Sequence, residues 1–185
     1  WRPIKRILWN PLETSIGPEG AGILNTSFAN MLAKTRLNYI TEYIDNKINS
    51  NLQILEIGPG YGHLAEKFIT KYNITNYSVV EYDSNCFSKL KKIGAKVYKD
   101  LNEINFDNKF NLVILSHVLE HIGNPLAYLS NIKNNYLNKN SYIFIDVPCE
   151  DWKYKQNVDP HLVFFNKSSL SHLNKLLDMK IIKLD

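Results

Sequence analysis

The stretch Ile54-Leu55-Glu56-Ile57-Gly58-Pro59-Gly60-Tyr61-Gly62-His63-Leu64-Ala65 takes an apolar strand pattern through a carboxylate and three alternating glycines straight into a helical pattern. A strand that turns into a helix through glycines is the loop of a nucleotide-cofactor site, because residues without Cβ turn tightly and let a ligand approach the backbone. Glu56 adds a negative charge where a phosphate site would avoid one. The ligand is therefore expected to carry a cation.

Dinucleotide loops space their glycines G-x-G-x-x-G, so that helix N–H groups face a pyrophosphate. Here the register is E-x-G-x-G-x-G, with His63 following the last glycine. This register resembles motif I of the class I S-adenosylmethionine-dependent methyltransferases, whose cofactor carries a sulfonium and an ammonium and no phosphate. The resemblance implies S-adenosyl-L-methionine as cofactor, held at Glu56, Gly58, Gly60, Tyr61 and Gly62.

The chain has 185 residues, enough for one α/β domain with a proper core. Its formal net charge of +4 is modest and the charges are interspersed, so no basic stripe marks a nucleic-acid partner. Two cysteines, Cys86 and Cys149, with no CxxC pair and no apolar run of spanning length, lead to the expectation of a reduced, cytoplasmic setting. The chain starts at Trp1 without a methionine, and the residues are expected to be part of a longer polypeptide.

Pro3, Pro11 and Pro18 and the turn-prone Gly17-Pro18-Glu19-Gly20 predict an irregular lead over residues 1–22, whose Trp1, Ile4, Leu8 and Trp9 pack over the core. From Asn25 to about Asn49, apolar residues at Phe28, Leu32, Tyr39, Tyr43, Ile44 and Ile48 fall on roughly one helical face. Residues 1–48 then form a lead segment and covering helix, and residues 49–185 the cofactor-binding domain. In the latter, strands at 53–57, 77–81, 96–98, 111–116 and 142–147 alternate with helices at 61–72, 85–93, 125–137 and 167–178, and a sixth strand is expected at 180–184. That rhythm predicts a Rossmann-like, doubly wound, mostly parallel sheet with helices on both faces. The resemblance implies a further, antiparallel strand after the sixth, and the expectation is that either the polypeptide continues past Asp185 to supply it or the sheet closes in another way.

The second strand ends Val79-Val80-Glu81-Tyr82-Asp83, about twenty residues past the glycines, where a Rossmann-type acid receives the ribose hydroxyls. Glu81 is expected in that role, Tyr82 beside the adenine, and Asp83 as the cap of the next helix. By resemblance, Asp100 and Leu101 follow the third strand at the adenine amino group. The fourth strand delivers Ser116, His117, Glu120 and His121 to the carboxyl edge of the sheet, where ligands bind. That string resembles the fourth-strand motif of a methyltransferase family rich in small-molecule and sugar enzymes (methyltransferase domain type 23), which implies that Ser116 and His117 lie beside the cofactor's methionine end.

As a bare pattern, His117-x-x-Glu120-His121 is also the inverted zinc-protease signature. It follows a parallel strand in a cofactor sheet, and no third ligand is legible in the sequence, so no metal is expected. Asp159-Pro160-His161 and the downstream Phe165 resemble the His-x-x-x-Phe stretch of the same family and of quinone-pathway O-methyltransferases. An imidazole titrating near neutrality can take a hydroxyl proton, which makes His161 the candidate base, with His121 and His117 as the further catalytic candidates. Cys149 follows Asp146-Val147-Pro148 in superficial likeness to RNA cytosine methyltransferases, but nothing nearby in the sequence would activate its thiol.

The expected function is methyl transfer from S-adenosylmethionine to a small hydroxylated acceptor, for example a sugar or nucleotide-sugar of surface-glycan synthesis. The alternatives are an RNA or quinone-precursor methyltransferase, a non-catalytic cofactor-binding module of a longer protein, and a metal hydrolase using His117 and His121.

Overall fold

The computed structural model describes residues 18–44, 47–105, 107, 109–148 and 161–184. Its elements are α1 (Pro18–Ile44), β1 (Ile54–Ile57), α2 (His63–Tyr72), β2 (Tyr77–Val80), α3 (Phe87–Lys92), β3 (Lys96–Tyr98), β4 (Phe110–Ser116), α4 (Pro125–Asn135), β5 (Leu137–Asp146) and α5 (Lys167–Leu176). The strands form one sheet in the order β3-β2-β1-β4-β5. Every pairing in it is parallel.

Because successive strand residues point to opposite faces, β1 divides its side chains between two cores. Ile54, with Tyr77, Val79, Leu112 and Ile114, meets Leu37 and Ile40 of α1, Phe68 of α2 and Leu90 of α3. Leu55 and Ile57, with Val80, Val113 and Leu115, meet Leu129 and Ile132 of α4 and Leu177 just past α5. A parallel sheet covered on both sides explains the near-continuous apolar strands. Each such side chain, once fully buried, contributes about 1.5–3 kcal/mol.

Three expectations need correction. Helix α1 begins at Pro18, not near Asn25, so residues 18–22 are helical rather than part of an irregular lead; proline is tolerated in a first turn, where its missing N–H has no partner to lose. The helix also ends at Ile44, short of Asn49. Finally, residues 180–184 form no strand. The chain leaves α5 through Asp178 in a left-handed conformation (φ 49°), with Met179 N donating to Asn174 O and the Asn174 amide donating to Met179 O. That turn fixes the segment's direction, and Lys180, Ile181 and Ile182 are exposed beyond it. The expected lead over residues 1–17, Cys149, Asp159 and Pro160 lie outside the described residues.

Candidate functional site

The carboxyl ends of the strands are tied to one another by the residues expected to serve the cofactor. Gly58, Gly60 and Gly62 all have positive φ, which residues with a Cβ rarely adopt. At Gly62 a Cβ would also stand 2.6 Å from Leu90 Cδ2, so the turn from β1 into α2 is pressed against α3. At Gly60 a Cβ would meet nothing within 4 Å, so this position opens outward. The Gly60 N–H donates to Glu81 Oε2 at 2.8 Å and the Asp83 N–H to Glu81 Oε1 at 2.9 Å. Two backbone donors thus hold the carboxylate at the end of β2 while leaving further lone pairs to accept.

Asp83 accepts from Asn85 N at 2.9 Å and caps the short helical turn Ser84–Cys86, as its place beyond the strand predicts. The exposed Tyr82 donates its hydroxyl to Asp100 Oδ2 at 3.2 Å, joining the ends of β2 and β3. Asp100 Oδ1 also accepts from Asn102 N, capping Leu101–Glu103. Leu101 is buried, and its carbonyl accepts from the Tyr136 hydroxyl. Tyr61 is exposed with Lys89 Nζ 5.7 Å from its ring centroid.

Glu56 does not open to solvent: it is buried and accepts from the Tyr77 hydroxyl at 2.7 Å. Burial pushes its carboxyl up to about 7, and the charge of Glu81 adds to this, while the Tyr77 hydrogen bond and the Arg36 guanidinium oppose it.

Arg36 and Asp146 are functional candidates that the sequence reading missed. Arg36 Nε donates to Asp146 Oδ2 at 2.6 Å, joining α1 to the end of β5. Arg36 Nη2 and Asp146 Oδ1 are buried with no hydrogen-bond partner among the described residues. A donor and an acceptor side by side can receive a ligand that carries both a carboxylate and an ammonium. The signal available in the sequence was an arginine three and four residues from Ala33 and Leu32 and four from Ile40, on the buried face of its helix.

Beyond β4, Ser116 Oγ is buried with no partner among the described residues. His117 takes a left-handed backbone (φ 54°), and its N–H donates to Asp146 O at 2.8 Å. Its Nδ1 stands 3.2 Å from Glu120 Oε1, and Nε2 is buried. Positive φ at a non-glycine residue is strain of the kind that collects at functional sites. The carbonyl of Glu120 accepts from Leu162 N (2.8 Å) and Val163 N (3.1 Å), which docks the segment after β5 onto the end of β4. As a result His161 lies edge-to-face with His121, ring centroids 5.1 Å apart. All three histidine candidates therefore gather around one buried carboxylate, that of Glu120.

A 3-2-1-4-5 parallel sheet with a glycine loop after β1, an acid after β2 and ligand-competent groups along one edge defines a class I S-adenosylmethionine-dependent methyltransferase fold. The family description "Methyltransferase domain" matches residues 30–184, and the chain belongs to that family. It is 30% identical over 104 residues to the ubiquinone biosynthesis O-methyltransferase of Rickettsia felis, covering 52% of this chain and 43% of that protein. It is 25% identical over 139 residues to malonyl-[acyl-carrier protein] O-methyltransferase 2 of Ilyobacter polytropus, covering 69% and 53%. The chain spans about half the length of these curated relatives. Among solved structures it is similar in fold to a SAM-dependent methyltransferase from Archaeoglobus fulgidus (TM-score 0.62, 21% identity, covering 80% of this chain and 68% of that one). It is also similar to the plantazolicin methyltransferase in complex with a triazolic desmethylPZN analog and SAH (TM-score 0.65, 15% identity, covering 95% and 75%). No described helix is long and apolar enough to cross a membrane.

Proposed function

We propose that the protein transfers a methyl group from S-adenosylmethionine to a hydroxyl oxygen of a small molecule, with a sugar or nucleotide-sugar as the first acceptor class. The observation that carries this reading is the Glu81 carboxylate, fixed by the Gly60 and Asp83 N–H groups beside an outward-opening glycine turn. Its remaining lone pairs suit two ribose hydroxyls. Tyr82 and Asp100 flank the adenine on one side, and Arg36 Nη2 and Asp146 Oδ1 receive the carboxylate and ammonium on the other. Gly58, Tyr61, Gly62 and Leu101 shape the walls, with Ser116 and His117 at the methionine end. Buried Glu56 acts from behind the loop, adding negative potential near a sulfonium when it is ionised.

The cofactor supplies an electrophilic methyl carbon on a sulfonium. The protein's part is to align the acceptor oxygen with that carbon, to exclude water, and to take the acceptor's proton. We assign the proton to His161, on the segment docked over the end of β4, with His121 packed against its ring and able to hand the proton to solvent. A quinone precursor is the second acceptor reading, favoured by the name of the Rickettsia relative. Calorimetry tests the cofactor assignment: S-adenosylmethionine and S-adenosylhomocysteine are expected to bind in the micromolar range, about −7 to −8 kcal/mol. Tighter binding of NAD than of either adenosyl ligand would refute it. A screen of sugars, nucleotide-sugars and phenols for S-adenosylhomocysteine release then identifies the acceptor.

A further inference from the structure

We propose that Glu120, His121 and His161 form a binding site for a divalent transition-metal ion of the zinc class, and that a metal bound there withdraws His161 from proton transfer. The second half rests on the base role assigned above; the first stands without it. One ligand atom from each of the three residues lies within 4.8 Å of the others. Glu120 is only 1% exposed, and neither of its carboxylate oxygens has a hydrogen-bond partner among the described residues, although His117 Nδ1 stands 3.2 Å from Oε1.

A buried carboxylate that makes so few hydrogen bonds is costly unless a cation meets it. Here the groups that face it are imidazoles, which can share a metal ion with it.

The donor set selects the metal. Two imidazoles and one carboxylate suit zinc, cobalt or iron, whereas magnesium and calcium prefer an all-oxygen shell. Zinc bonds of about 2.0–2.2 Å place tetrahedral ligand atoms roughly 3.3 Å apart, so donors already within 4.8 Å of one another need draw together by no more than about 1.5 Å. His121 is exposed and His161 half-buried, so rotation of their side chains can supply this without moving the backbone. Glu120 can hold the ion through Oε2 while Oε1 stays beside His117, an outer-shell arrangement common around ligating groups. The sequence alone offered only the His117–His121 string. The third ligand arrives from a segment beyond β5, brought in by the Leu162 and Val163 hydrogen bonds to the Glu120 carbonyl.

The test uses the full chain stripped of metal with a chelator, then titrated with Zn²⁺ by calorimetry and with Co²⁺ by visible absorption. The expected result is one ion per chain at micromolar affinity or better, with Co²⁺ giving visible bands of low coordination number. His161→Asn and Glu120→Gln should each weaken binding by more than the roughly 10–100-fold typical of losing an outer-shell partner. Retained S-adenosylhomocysteine binding in His161→Asn shows that the variant is folded. Zinc binding absent at 100 µM metal, or unchanged in both His161→Asn and His121→Asn, overturns the site. Displacement of Zn²⁺ by equimolar Mg²⁺ overturns the metal class. In the wild type, methyl transfer should fall in step with zinc occupancy; full occupancy with unchanged turnover overturns the link to His161. Zinc binding lost in the variants of a protein that binds no adenosyl ligand would sustain the metal site while refuting the methyltransferase reading.

Discussion

Replacing Glu81 by alanine separates a cofactor residue from a structural one. In the structure its carboxylate accepts from Gly60 N at 2.8 Å and Asp83 N at 2.9 Å, so one side chain orders the loop after β1 and keeps further lone pairs with which to accept. Hydrogen bonds to a charged partner are worth about 1.5–3 kcal/mol. Loss of the ribose contacts should therefore weaken S-adenosylhomocysteine by about 12- to 160-fold. Glu81→Gln should be no better than alanine: the amide has one oxygen, and its NH₂ would oppose one of two fixed backbone donors. Asp83→Ala removes only the acceptor for Asn85 N and should leave affinity nearly unchanged, at a cap's cost in stability of about 0.5–2 kcal/mol. Isothermal titration of the three variants, with urea unfolding to measure stability separately, checks the whole set. A larger affinity loss in Asp83→Ala than in Glu81→Ala would show that the wrong acid has been assigned to the cofactor.

Glu56, raised on folding from 4.5 to about 7 chiefly by burial, binds its proton more tightly in the native state. Its stabilising contribution is therefore full below about pH 4.5 and is lost as pH rises through about 7, on the order of 3 kcal/mol in all; Glu56→Gln, compared with the wild type by urea unfolding across that range, should lack this decline. Gly60→Ala should cost about 1–2 kcal/mol for its left-handed backbone, whereas Gly62→Ala adds about 1–3 kcal/mol of overpacking against Leu90 and Ile93, an order that denaturation midpoints will reveal. Arg36→Ala leaves Asp146 buried without its cation and should destabilise by about 3–5 kcal/mol; Arg36→Met combined with Asp146→Leu should recover most of that in the same assay while still binding cofactor poorly. His161→Ala should lower turnover roughly a hundredfold with cofactor affinity within about threefold, and near-normal turnover would leave it a loop residue only.

What the sequence determined by itself was local. Five apolar strands, their alternation with helices and the glycine turn from Ile57 to His63 were legible because each is specified by neighbours a few residues apart. The capping role of Asp83 was legible for the same reason: its place just beyond the strand marks it as the acceptor at the start of the next helical turn. Where the period was poor, the reading failed. Lys180–Leu184 has apolar residues side by side at Ile181 and Ile182, and the turn after α5, rather than strand propensity, sets where that segment goes. Only tertiary structure brought Arg36 to Asp146, 110 residues away, and His161 to His121. No local pattern encodes such pairs, because they depend on how α1 and the segment after β5 pack against a sheet edge assembled from the whole chain. The elements and the cofactor loop thus belong to the sequence, while the buried ion pair and the cluster of histidines around Glu120 belong to the fold, since long-range packing alone sets those distances.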